Sequence, residues 1–304
     1  MKFVHIFFVA VLVSNLSAQN EKKIKRAKPP QWKKNERSIF FENAFRDAIV
    51  GKPAPLKSAS SQSSTKPNNV VKGENWSQYI SSQTIEDEIK SLKILVDQAV
   101  TTERRFKSGN FKLARQHFSE LAIFFGIVSS FDGDIRWKDQ AIVARDVFSK
   151  SARNASVGTA SVYRDAIARK NDLQDLVSGA SLSADASGQN HKWSAFVERK
   201  PLMQRIKVSH EDRLLKWLSS KSEFQKHLPQ IKKEAEILTA FSVILTKDDM
   251  EDANDDDYAE FCDTMRDSAM QLIKSVKDES FEQATKANGR ITNACAECHD
   301  TYRG

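Results

Sequence analysis

Residues 291–304 read ITNACAECHDTYRG. On a helix, Cys295, Cys298 and His299 stand at i, i+3 and i+4 and share one face. Two thiols and an imidazole on one helical face suit covalent attachment of a c-type haem. The thiols add to the two vinyl groups of one porphyrin, and the imidazole reaches the iron from the same side as its proximal ligand. A zinc or redox CxxC is the rival reading. Structural zinc takes four N or S ligands, whereas the chain offers only one further cysteine, Cys262. A thioredoxin-type motif calls for βαβ surroundings, and no such pattern accompanies this one.

Working back from the motif, Phe281, Ala284, Asn288 and Ile291 run along the face that ends in Cys295, Cys298 and His299. Before them, Tyr258, Phe261, Cys262, Met265, Ala269, Leu272 and Val276 form an i, i+3, i+4, i+7 stripe. Ile231, Ala235, Leu238, Phe241 and Leu245 mark another helix, and Leu214, Trp217 and Leu218 a fourth. From Trp76 to the C-terminus there are few Gly or Pro and no sustained period-two runs, so the class is all-α.

The pattern occurs twice. Trp76-Ser77-Gln78-Tyr79 is echoed by Trp193-Ser194-Ala195-Phe196, Glu86-Asp87 by Glu211-Asp212, and Arg145-Asp146 by Arg266-Asp267. The order of the echoes predicts two tandem four-helix bundles, residues 76–190 and 191–304, each long enough for a domain with its own core. A shift of 121 residues lays Cys295 on Gln174, Cys298 on Val177 and His299 on Ser178. The first repeat therefore lacks both attachment thiols and the proximal ligand. The expectation is one covalent haem c per chain, in the second repeat.

CAECHDTYR, with Tyr302 and Arg303 at the third and fourth positions after His299, resembles the C-terminal haem helix of the class II cytochromes c, the cytochrome c-prime group. The likeness covers the last helix directly and, by helix pattern, about the last hundred residues. It implies a four-helix bundle with the haem motif near its C-terminus, as here. It also directs attention to Met203. Six-coordinate members of the group supply a thioether near the start of the first bundle helix, whereas five-coordinate members place an apolar residue there. Between the tryptophan echo and the Glu-Asp echo the second repeat is eight residues longer, and that extra length contains Met203. Core packing is the other reading of Met203. His210, on the same helix, reads as a solvent-facing histidine.

The chain begins MKFVHIFFVAVLVSNLSAQN, a short apolar run with small residues at Ser17 and Ala18. This reads as a secretory signal peptide, residues 1–18, with an apolar run too short for an ordinary membrane span. Residues 19–75 are rich in Lys, Pro, Ser and Asn and carry 13 Lys and Arg against 5 Asp and Glu, about +8, although the whole chain is +7. The basic balance thus belongs to a linker, which contains one short amphipathic stretch around Phe40, Phe41 and Phe45. A solvated arm is its plain reading, and contact with an anionic membrane surface the other. Export excludes nucleic acid as a natural partner.

The expectation is a periplasmic protein, membrane-attached if its leader is retained, transferring electrons to a periplasmic redox partner and not acting as an enzyme. The alternatives are a five-coordinate haem protein that binds or senses a small gas, and a haem subunit of a larger redox complex. Residues 247–257, KDDMEDANDDD, carry seven acids without the spacing of a calcium loop.

Overall fold

The computed structural model describes residues 74–182 and 192–302. The expected leader, most of the linker with its amphipathic stretch, and Arg303 lie outside the described residues. Among the described residues every regular element is helical, and no helix is long and apolar enough to cross a membrane.

The first half contains α1 (Ser82–Ala99), α2 (Phe111–Ser129), α3 (Ala141–Asn154) and α4 (Ala160–Ser178). In the second half α5 (Arg199–Lys207) continues through a π-helical stretch, Val208–Leu214, to Leu215–Trp217. Then come α6 (Leu228–Leu245), α7 (Asp256–Lys277) and α8 (Phe281–Tyr302). Side chains fix several starts by accepting from backbone N–H groups that have no partner inside the helix. Ser81 accepts from Thr84, Thr159 from Val162, and Asp255 from Asp257 and Tyr258. Gly179, at φ 95°, supplies the left-handed residue that ends α4.

The halves repeat in three dimensions. Ser77 N–H donates to Asp132 at 2.7 Å, and Ser194 N–H donates to Asp249 at 2.7 Å. Trp76 packs on its own counterpart Trp193 with ring centroids 5.5 Å apart, and Phe124 on its counterpart Phe241 at 5.7 Å. Arg205 binds Glu88, 117 residues earlier. When residues meet their own equivalents, the contact is of the isologous, two-fold type found in symmetric dimers. Arg145 of the first half lies over Phe196 of the second at 4.7 Å, and Arg266 comes within electrostatic reach of Tyr79, the residue equivalent to Phe196.

Two sequence expectations change. Helices α1 and α5 start 117 residues apart, as do the tryptophans and α2 and α6. No extra length therefore precedes α5; Met203 lies within it, and the Glu-Asp echo was out of register. The separate cores expected of the repeats are one continuous core. Helix α2 is buried without interruption from Phe118 to Val128, and α6 from Glu234 to Leu245. Over these stretches each has one side in its own half and the other against the opposite half, α2 on α5 and α6 on α1, so neither keeps a solvent face there. Gly126 makes room for this contact: a Cβ there would come within 2.6 Å of the Phe196 ring.

The buried lengths of α2 and α6 include carboxylates, and α5 answers them. Arg205, 2% exposed, is 2.9 Å from Glu88, 2.9 Å from Glu234 and 3.5 Å from Glu120. Lys233 adds a second cation to Glu88 at 2.6 Å, and Ser209 donates to Glu234 at 2.8 Å. Burial opposes the charge of Glu88, but Arg205 and Lys233 hold its pKa below the usual carboxylate value. Glu120 goes the other way. Burial pushes it up to about 7, and Arg205, shared among three carboxylates, offsets this only in part.

A carboxyl whose pKa is raised by folding contributes stability below its unfolded value, here 4.5, and loses it as pH rises through about 7. Glu120→Gln, an isosteric neutral replacement, should match wild-type stability near pH 4 and exceed it by roughly 1–3 kcal/mol at pH 8. Urea melts at the two pH values check this.

Candidate functional site

The last helix carries CAECH as continuous α-helix, so the sequence spacing becomes a shared face. That face looks into a cavity of ≈ 290 Å³ bounded by all four helices of the second half. Its walls include Met203, Ile206, His210 and Leu215 from the α5 rod, Leu245 from α6, Phe261, Cys262 and Met265 from α7, and Thr292, Ala294, Cys295, Ala296, Cys298 and His299 from α8. Cys295, Cys298, His299 and Met203 all line it. Cys298 is 9% exposed, Cys295 and Met203 are half-buried, and His299 lies exposed at the mouth. The volume is close to the lower end of the roughly 300–1,000 Å³ usual for small-molecule and cofactor sites. A mostly apolar slot with two thiols and an imidazole on one wall fits a flat, covalently held porphyrin.

The register of α5 against α8 follows from contacts at two levels. Arg199 lies over the Tyr258 ring at 4.8 Å, and that ring is 5.2 Å from the ring of Tyr302. About three turns further along the α5 rod, His210 Nε2 is 3.0 Å from Thr292 Oγ1. The start of α5 therefore meets the end of α8, and the two run antiparallel. Seven residues back from His210 is Met203, and seven forward from Thr292 is His299. Met203 thus stands level with His299, on the facing helix, about 10 Å along the axis from His210.

His210 is the residue that sequence reasoning misplaced. It is 5% exposed and lines the cavity, seven residues on from Met203 and so on the same face of α5. A 3.6-residue period carried through from Met203 places residue 210 on that face, so the signal was present in the sequence. Cys262 is the buried free thiol that its place on the α7 stripe suggested. The acids of residues 247–257 serve local structure: Asp249 holds Ser194, Glu251 and Asp252 pair with Arg199, and Asp255 caps α7 and accepts from Tyr302 at 2.5 Å. Arg266 pairs with Asp263 and Asp267 near the surface.

The first half treats the equivalent place differently. Trp137, at φ 63°, donates its indole N–H to the Leu176 carbonyl at 2.7 Å and packs against Phe125. Leu176 and Val177 correspond to Glu297 and Cys298, so an indole covers the stretch of α4 that matches the motif. Among the described residues no group of three or more His, Cys, Asp or Glu side chains converges as a metal site. No family model, curated protein or solved structure matches the chain.

Burial pushes the Cys295 thiol up to about 11 and that of Cys262 up to about 12, and raises Cys298 as well. The thiolate is the reactive form. In the folded, haem-free chain at pH 8, Cys295 should therefore alkylate with iodoacetamide roughly 100-fold and Cys262 roughly 1,000-fold more slowly than in urea. Mass spectrometry of timed samples measures the ratio.

Proposed function

We propose that the second half carries one covalent haem c, attached through Cys295 and Cys298 and ligated by His299, and that the chain is an exported electron carrier. The observation that carries this reading is the shared cavity. Two thiols and an imidazole from one helix face a mostly apolar slot, with Met203 level with the imidazole on the helix opposite. The bound group would supply a reversible one-electron iron couple. In this reading the two cysteines fix the edge of the porphyrin, and His299 holds the iron from the α8 side. Met203 offers a thioether from the α5 side, a ligand that favours the reduced state and suits electron transfer. Ile206, Leu245, Phe261 and Met265 exclude water from the slot.

The rest of the chain is assigned accordingly. The two halves are read as tandem four-helix bundles, the first haem-free and serving as scaffold. The leader directs the chain to the periplasm, the basic linker touches an anionic membrane or is simply solvated, and a periplasmic redox protein is the partner. A five-coordinate, gas-binding haem protein is the second reading. It is favoured by Ile206, an apolar residue three positions from Met203 on the same wall.

Maturation with a haem-attachment system should give one haem per chain that resists acid-acetone extraction, and Cys295→Ser with Cys298→Ser should abolish it. A low-spin ferric spectrum indifferent to carbon monoxide supports the carrier; a high-spin form that binds the gas supports the second reading. Met203→Ala should move the carrier toward high spin and lower its potential. An unchanged spin state in that folded variant would remove Met203 from the ligand set.

A further inference from the structure

A second cavity, of ≈ 310 Å³, opens between the halves. Lys112, Arg115 and Gln116 of α2 line it from the first half, Lys200 and Gln204 of α5 from the second, and Ser156 from the α3–α4 connection. Three of its lining residues are cations and none is an acid. Glu198 engages Arg115, whereas Lys112 and Lys200 form no ion pair with a described carboxylate. Three cations less one carboxylate leave a local balance of +2.

The two-fold counterpart of this place is closed by ion pairs. At the 117-residue spacing of the helix starts, Lys112, Arg115 and Gln116 fall on Pro229, Lys232 and Lys233, and Lys200 and Gln204 on Gln83 and Asp87. There the cations are engaged: Lys233 is 2.6 Å from Glu88 and Lys232 is 3.3 Å from Glu236. Gln83 donates to Asp87 at 2.7 Å. The acids on that side have no equivalents on this one, because Asp87, Glu88 and Glu236 fall on Gln204, Arg205 and Ser119. The junction therefore keeps its repeat in packing and breaks it in charge, leaving walled cations on one side only.

We propose that this cavity binds the phosphate group of a small phosphomonoester, which then ties the two halves together. Such a group carries about −1.5 to −2 near pH 7, matching the balance of the site. A monocarboxylate would leave one lysine unanswered. Lys112 and Lys200 supply point charges from opposite halves, and the Arg115 guanidinium adds planar N–H donors suited to phosphate oxygens. Phe111 and Pro201 give the organic part an apolar wall. The volume is roughly ten water molecules' share of the liquid, so a few carbon atoms fit beside the phosphate. No bond is made or broken, and the inference does not depend on the haem reading.

Calorimetric titration of the mature chain with glycerol 3-phosphate, at about 0.15 M salt, tests this. Binding should saturate at one ligand per chain and weaken roughly tenfold or more in Lys112→Gln with Lys200→Gln. Lys274→Gln with Lys277→Gln removes the same charge from exposed positions on α7 and should change it less than about twofold. The ligand should also raise the urea midpoint of the wild type and leave that of the Lys112/Lys200 variant unmoved. Vesicles containing phosphatidic acid, itself a phosphomonoester, separate two sources of the group. Vesicle binding that the Lys112/Lys200 variant loses assigns it to a membrane lipid, and vesicle binding indifferent to that variant assigns it to a soluble ester. Absence of saturable binding to either, or equal weakening by the two lysine pairs, would overturn the proposal. If the double variant fails to fold, Lys200→Gln alone decides it, with a loss of about threefold or more expected.

Discussion

A guanidinium buried among three carboxylates holds the two halves in register. Arg205 takes part of its environment from α1 and α2 of the first half and part from α6 of its own. Such a cluster is a poor source of net stability, since desolvating four charged groups costs much of what their attraction returns. Its effect is to penalise every other arrangement. Slide α5 by a turn, and Arg205 leaves Glu88, Glu120 and Glu234 without their shared cation. The same helix turns its other face to the cavity. Met203, Ile206 and His210 look into the slot while Arg205 and Ser209 look into the cluster. The position of the distal wall is thus set by electrostatics at the junction of the halves, outside the cavity itself.

Much of this was legible in the sequence, for local reasons. The α7 stripe, the CAECH face and the paired Trp-Ser dipeptides depend on spacing within one helix or turn, and spacing is what a sequence records. The Met203 wall came from a likeness to a known family, and the structure puts that residue in the cavity for a different reason than an inserted segment. The missing parts are those that depend on two elements at once. Glu120, Glu234 and Glu236 carry no local sign of burial; only the opposing half shows why they and the helices around them are buried. His210 was read as a surface histidine on its residue type, although its i+7 spacing from Met203 puts it on the cavity face.

The halves differ least where they meet and most where the proposed chemistry is. Tryptophan on tryptophan, Phe124 on Phe241 and the two Ser-Asp bonds retain the repeat at the junction. Away from it, α7 and α8 are each 22 residues long, whereas α3 has 14 and α4 has 19. Trp137 occupies in the first half the level that Cys298 marks in the second. A half freed from holding a cofactor can fill its slot with an indole at no loss to the junction. It cannot abandon the junction, because α6 is covered on that side by the first half, through α1 and the Phe124–Phe241 contact. The first half is therefore required by the second, through the packing across the junction and the charge balance around Arg205, even though it lacks the residues for the proposed chemistry.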